Sequence, residues 1–169
     1  MTIPLFGPDR RPTAVFSACE RYRYLLKYPT TVDNERIVLF ALANPSKATA
    51  EKTDPTVDRC IDYAGRWGFG WCWVVNARAW RATDPDDVPA DPLGIGPEND
   101  TWISAAAMQA DLVVGGWGML GGARGPVMWK LIKEAGKTPH ALKLNGDGSP
   151  THPLYLAKTL LPFELPEQR

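Results

Sequence analysis

Ile37-Val38-Leu39-Phe40-Ala41-Leu42-Ala43, followed at once by Asn44-Pro45-Ser46, points to the architecture of the whole chain. A nearly continuous apolar run of this length suits a parallel strand covered on both faces. Three further runs repeat the arrangement: Trp71 to Val75 ending at Asn76, Asp111 to Gly116 ending at Trp117-Gly118, and Ala141 to Leu144 ending at Asn145. If the four are parallel strands, their ends share one edge of one sheet, which is where open α/β proteins bind ligands. His152 follows the last run closely enough to join them.

The segments between the runs read as helices. Thr53-Asp54-Pro55 supplies an N-cap acceptor and a proline for the first helical turn, and Val57, Cys60, Ile61, Ala64 and Trp67 then recur at helical spacing until Gly68 stops them. A second helix is expected from about Glu98 to Ala110 and a third over Pro126 to Ala135, closed by Gly136. On the N-terminal side, β-branched and aromatic residues over 13–17 and 21–28 predict a hairpin or edge strand. Strand and helix alternate through the middle of the chain. The expected fold is α/β, a three-layer α/β/α sandwich around a central, mostly parallel four-stranded sheet, plus the N-terminal hairpin. At 169 residues the chain is read as a single domain, with 1–12 a proline-rich extended arm.

Nineteen basic and nineteen acidic residues cancel, so there is no global field to draw the protein toward DNA or a membrane. A nucleic-acid contact must then be a local patch, for which Arg21, Arg23, Arg78 and Arg81 are the candidates, or these are solvated surface charges. Cys19, Cys60 and Cys72 are widely spaced and form no Cys-x-x-Cys pair, which indicates neither a disulfide framework nor a metal site. No apolar stretch approaches the roughly 20 residues that span a bilayer, and the N-terminus lacks a signal-peptide pattern. A cytoplasmic monomer that needs no cofactor is expected.

Gly116-Trp117-Gly118-Met119-Leu120-Gly121 fits a G-x-G-x-x-G pattern between a strand and a helix. A bulky first x, and no acidic residue to bind a ribose, favour a turn whose amides approach a phosphate or base over a dinucleotide fingerprint. Trp117 is placed to offer a stacking face. Asn44 and Asn76 end consecutive strands, and a side-chain amide can read a nucleobase edge or orient a water; either could equally be a turn former. His140 precedes the fourth run, on the opposite edge, and is read as structural. Asp54, Asp58 and Asp62 fall on one helical face and are read as a solvated acidic face with an N-cap rather than a metal site.

Arg21-Tyr22-Arg23-Tyr24, Leu42-Ala43-Asn44-Pro45-Ser46, Asp54-Pro55-Thr56, Val75-Asn76, Arg81-Ala82-Thr83-Asp84-Pro85, Gly96-Pro97-Glu98-Asn99-Asp100 and His152-Pro153-Leu154-Tyr155-Leu156 together resemble a bacterial and phage family of unknown function, domain-of-unknown-function family 1643. A remoter resemblance is to the uracil-DNA glycosylase superfamily. Asn44-Pro45 is similar to the water-placing motif of its mismatch branch, Asn76 to its base-reading asparagine, Trp117-Gly118 to the close of its third strand, and His152-Pro153 to the start of its last motif. The chain departs from that pattern at Ser46, which replaces a glycine, and at Leu154, where a phosphate-gripping serine is usual.

That second resemblance implies hydrolysis of an N-glycosidic bond on a flipped-out nucleotide. Asn44 would place the water, Asn76 would bind the base edge, and His152 would stabilise charge on the departing base. Pro45, Ser46, Trp117, Gly118, Pro153 and Tyr155 would line the substrate. The expected function is therefore a nucleobase-processing enzyme acting on uracil, a mismatched base or a modified base in DNA. The alternatives are a non-catalytic nucleobase-binding or nucleic-acid-binding module, and a nucleosidase or transferase acting on a free nucleotide.

Overall fold

The computed structural model describes residues 10–169. Of the expected N-terminal arm, residues 1–9 lie outside the described residues, and residues 10–12 enter the first strand without regular structure. The fold is α/β: seven strands in one sheet, with three helices. In chain order the strands are β1 (Thr13–Phe16), β2 (Arg23–Pro29), β3 (Ile37–Leu42), β4 (Trp71–Asn76), β5 (Leu112–Gly115), β6 (Pro139–Ala141) and β7 (Phe163–Glu164). Helix α1 (Pro55–Arg66) joins β3 to β4, α2 (Asn99–Gln109) lies between β4 and β5, and α3 (Arg124–Glu134) between β5 and β6.

The strand order is β1-β2-β4-β3-β5-β6-β7. The four central strands β4, β3, β5 and β6 are mutually parallel, whereas β2 pairs antiparallel with β4 and β7 antiparallel with β6. The sheet is thus larger than the four strands expected, because β1, β2 and β7 extend it at both sides. β1 forms one rim, with a register shift between Val15 and Phe16, and the two-residue β7 forms the other.

The unbroken apolar character of β3 and β4 follows from coverage on both faces. Leu39 and Ala41 of β3 and Trp73 and Val75 of β4 pack with Ile103 and Ala106 of α2 and Met128 and Ile132 of α3. Val38, Phe40 and Leu42, with Cys72 and Val74, pack on the opposite face against Val57, Cys60, Tyr63 and Ala64 of α1. The start of α1 is the predicted one: Asp54 caps it, its carboxylate accepting from the Val57 amide at 2.9 Å, with Pro55 in the first turn. The chain leaves the helix through Gly68 at φ +83°, a conformation that favours glycine.

One sequence expectation is corrected here. The fourth parallel strand is Pro139–Ala141, not 141–144, so His140 lies inside β6 rather than before it. Leu144 instead makes an antiparallel bridge to Pro150, because Asp147-Gly148-Ser149 turns the chain back: the Ser149 amide donates to the Asp147 carboxylate, and Gly148 takes φ +84°. Asn145 is therefore part of a turn, donating to Ser149 Oγ and accepting from Thr151 Oγ1. The N-terminal hairpin is present as expected: β1 pairs antiparallel with β2 and is the edge strand, while β2 lies between β1 and β4.

Candidate functional site

The carboxyl ends of β3 and β4 open on a small cavity of ≈ 40 Å³ lined by Arg23, Leu42, Asn44, Ser46, Asp54, Thr56, Val57, Asn76 and His152. Each polar member arrives from a different element. Asn76 is the last residue of β4 and Arg23 the first of β2, Asp54 caps α1, Asn44 and Ser46 follow β3, and His152 precedes a short 3-10 turn at Pro153–Tyr155.

Asn76 is 1% exposed, and its Oδ1 accepts from Arg23 Nη2 at 3.3 Å. That contact orients the amide and leaves Nδ2 buried with no hydrogen-bond partner. Arg23, 3% exposed, also donates from Nη1 to the Ala48 carbonyl at 2.9 Å, and its Nε is buried without a partner. Burial, opposed by Asp54 and reinforced by Arg81, pushes the Arg23 pKa down to about 10, so the guanidinium stays charged at neutral pH. A buried unpaired donor costs about 1–3 kcal/mol, so two in one cavity mark a place built for an acceptor.

His152 Nδ1 accepts from the Leu154 amide at 3.3 Å, so in the neutral ring the proton sits on Nε2. Burial lowers the His152 pKa below its ordinary 6.5, with Asp54 acting in the opposite direction, which keeps the ring neutral at pH 7. Asp54 accepts from two backbone amides, Val57 on Oδ1 and Ala48 on Oδ2. Asn44 donates through Nδ2 to the carbonyls of Pro45 and Ala82, and no described residue partners its Oδ1. The residues lining the cavity therefore carry three donors (Asn76 Nδ2, Arg23 Nε, His152 Nε2) and two acceptor groups (Asn44 Oδ1, Asp54). That set suits an acceptor-rich ligand edge.

Two wider clefts adjoin it. One, of ≈ 260 Å³, shares Asn44 and is walled by Arg78, the segment Pro85 to Asp91, and Leu120. The other, of ≈ 550 Å³, shares Ser46 and is lined by Glu20, Arg21, Lys47, Trp80, Arg81, Ala82 and Thr83. Arg78 braces the first cleft: it binds Asp91 through two bonds of 2.8 and 2.9 Å and donates to the carbonyls of Leu120 and Gly121.

Of the residues singled out in the sequence, Asn44, Ser46, Asn76 and His152 meet in the cavity. Pro45 and Pro153 are buried beside it; a Cβ on Gly116 would lie 2.9 Å from Pro153 Cδ, so the glycine lets the His152-Pro153 segment approach β5. Tyr155 is 90% exposed. Trp117 is a correction: at 1% exposure it offers no stacking face. Its indole fills a slot whose walls are glycines, since a Cβ would come within 2.8 Å of it at Gly115, 2.5 Å at Gly121 and 3.2 Å at Gly125. The glycines of the G-x-G-x-x-G segment thus serve two neighbours, Gly121 the tryptophan and Gly116 the histidine loop, while the Gly118 amide donates to the Pro150 carbonyl. Of the four arginines, Arg23 is internal and Arg78 is engaged with Asp91, which leaves Arg21 and Arg81 at the surface.

Sequence reasoning missed Asp54 and Thr56 as cavity residues and Arg23 as an internal one. Asp54-Pro55-Thr56 carried the signal, but a helix cap accounts for it fully until Asp54 Oδ2 is seen reaching the Ala48 amide. Among the described residues no group of three His, Cys, Asp or Glu side chains could hold a metal ion, and no helix is long and apolar enough to cross a membrane.

No curated protein and no solved structure matches the chain. A family model described as "Protein of unknown function (DUF1643)" matches residues 23–154 of the 169, a span that begins at Arg23 and takes in every residue lining the cavity. The chain belongs to that family.

Proposed function

We propose that the protein processes a nucleobase, hydrolysing an N-glycosidic bond of a uracil, mismatched or modified base in DNA, in the manner of a uracil-DNA glycosylase-like enzyme. The observation that carries this reading is the buried, unpartnered Nδ2 of Asn76, a residue that lines one cavity with His152 and Asn44. Asn76 binds a base carbonyl, and neutral His152 donates to the oxygen that gains charge as the base leaves. Asn44 holds the attacking water. Arg23, charged and fixed behind Asn76, adds a positive potential where the leaving group becomes anionic.

The strand order supports the same reading. From β3 the chain crosses to β4 on one side and, after α2, to β5 on the other, which puts the ends of β3 at a topological switch point. A cavity of ≈ 40 Å³ matches about one water, whose share of liquid volume is roughly 30 Å³. On this reading a base needs the cavity to widen, and the adjoining cleft that shares Asn44 is the open space next to it.

The test is base release from single-stranded and duplex oligonucleotides carrying uracil, mismatched thymine or modified bases, read as alkali-dependent strand breaks. Asn76→Ala and His152→Ala are each expected to slow release by about 10²-fold or more. Rates unchanged in both variants would remove the proposal. A second reading, binding without cleavage, is favoured by one feature: both Asp54 oxygens accept backbone amides, so the only carboxylate in the cavity is poorly placed as a base. It predicts base-dependent binding that Asn76→Ala abolishes, with no product from any substrate.

A further inference from the structure

The cleft that shares Ser46 with the cavity differs in charge from the chain as a whole. Nineteen cations balance nineteen anions overall, yet this cleft brings together Arg21, Lys47 and Arg81 against one acid, Glu20. No ion pair among the described residues involves any of the three cations. Two are held in place by other means. The Arg21 guanidinium lies over the Trp80 ring at 5.4 Å, and that of Arg81 over the Phe16 ring at 4.5 Å while its Nη1 donates to the Glu20 carbonyl at 3.0 Å. Stacking fixes a guanidinium but leaves donors in its plane for a further partner. Lys47 is exposed and stands next to Ser46 in the chain.

The cleft borders the site. Ser46 lines both, and the charge of Arg81 is felt at Arg23, whose protonated form it disfavours. An anion between them relieves that repulsion. Arg23 and Arg78 take no part, being bound to Asn76 and Asp91.

We infer that the cleft between Arg21, Lys47 and Arg81 binds a phosphate of the molecule whose base reaches Asn76, so that the ligand is a nucleotide unit rather than a bare nucleoside. This rests on the nucleobase reading of the cavity. The phosphate comes from a strand or from a free nucleotide, and the chemistry in the cleft is the same for both.

The experiment separates phosphate binding from base chemistry. Its main probe is a short single strand made of abasic tetrahydrofuran sites, which has phosphates and no base, with affinity followed against salt. Each phosphate neutralised on a single strand contributes about 0.7 to the slope of log affinity on log salt, so Arg21→Ala/Lys47→Ala/Arg81→Ala, which removes the site of one phosphate, should flatten that slope by about 0.7. Lys47→Glu alone, at an exposed side chain, should weaken binding without altering the thermal melt. Lys130→Ala/Lys133→Ala/Lys137→Ala, removing equal charge on and after α3, should leave the slope unchanged. Deoxyuridine 5′-monophosphate and deoxyuridine then compete against the strand. Competition by the monophosphate as strong as by a strand of equal phosphate content assigns a free nucleotide; competition by the strand alone assigns a polynucleotide.

Equal losses in the two triple variants, or deoxyuridine competing as well as its monophosphate, would overturn the inference. Failure here with base release still dependent on Asn76 leaves the proposed function standing. Loss of base release with the slope behaving as expected removes only the enzymatic reading.

Discussion

His152 shows how one hydrogen bond and one burial set a chemical state. Its Nδ1 is occupied by the Leu154 amide, and burial disfavours the cation, so the ring is a neutral donor through Nε2. A folded-state pKa below the unfolded value means that the unfolded chain binds more protons between the two. The stability this residue contributes is therefore complete above pH 6.5 and is lost as pH falls through its lowered pKa. An NMR titration of the His152 ring should show a midpoint below 6.5. Since the Asp54 carboxylate acts to raise that pKa, Asp54→Asn should move the midpoint lower still while retaining the helix cap. A midpoint that rises in Asp54→Asn would refute the assignment. Asn44 and Asn76 were legible in the sequence because each follows an apolar run that forms a strand, and His152 because it follows the last such run, although it precedes a 3-10 turn and stands at no strand end. The burial of Arg23 was not, since it depends on β2 pairing with both β1 and β4, a long-range fact that alternation along β2 does not carry.

At the scale of elements, the connection from β5 to α3 is organised around an indole. Gly115, Gly121 and Gly125 leave room for Trp117: a methyl group at Gly115 or Gly121 would force the indole to shift, and one at Gly125 would press on it. Gly121→Ala should destabilise the protein by about 1–3 kcal/mol, as overpacking of a dense interior does. Gly146→Ala, where a Cβ would meet nothing within 4 Å, should stay within about 0.5 kcal/mol of the parent. Urea denaturation of both variants checks the pair, and equal stabilities would show that the slot is not tight. A glycine pattern between strand and helix serves an anion or an indole equally well, which is why the sequence pointed Trp117 toward a ligand. The long apolar strands β3 and β4 were readable because helices cover both faces. β6 was misplaced because its three residues, Pro139 to Ala141, carry no more apolar signal than Leu142 to Leu144, which lie outside the parallel sheet.

Across the whole molecule, the site is assembled from segments distant in sequence and held by few ties. Arg78, just past β4, grips Asp91 and the turn at Leu120 and Gly121, and so joins two walls of the Asn44 cleft. Arg78→Ala should raise hydrogen exchange over residues 85–95 with little change in the central strands, and protection unchanged in that segment would show that other contacts hold it. The rims of the sheet have a separate consequence. A strand edge is a template for another chain through its unpaired N–H and C=O groups, and the danger grows with its length and flatness. Here one rim is four residues long with a register shift against β2, and the other is two residues long. Among the described residues neither rim offers a long ladder for the strand of a neighbour, so crowding this protein should drive it to associate through side chains, reversibly, rather than by sheet growth into fibres.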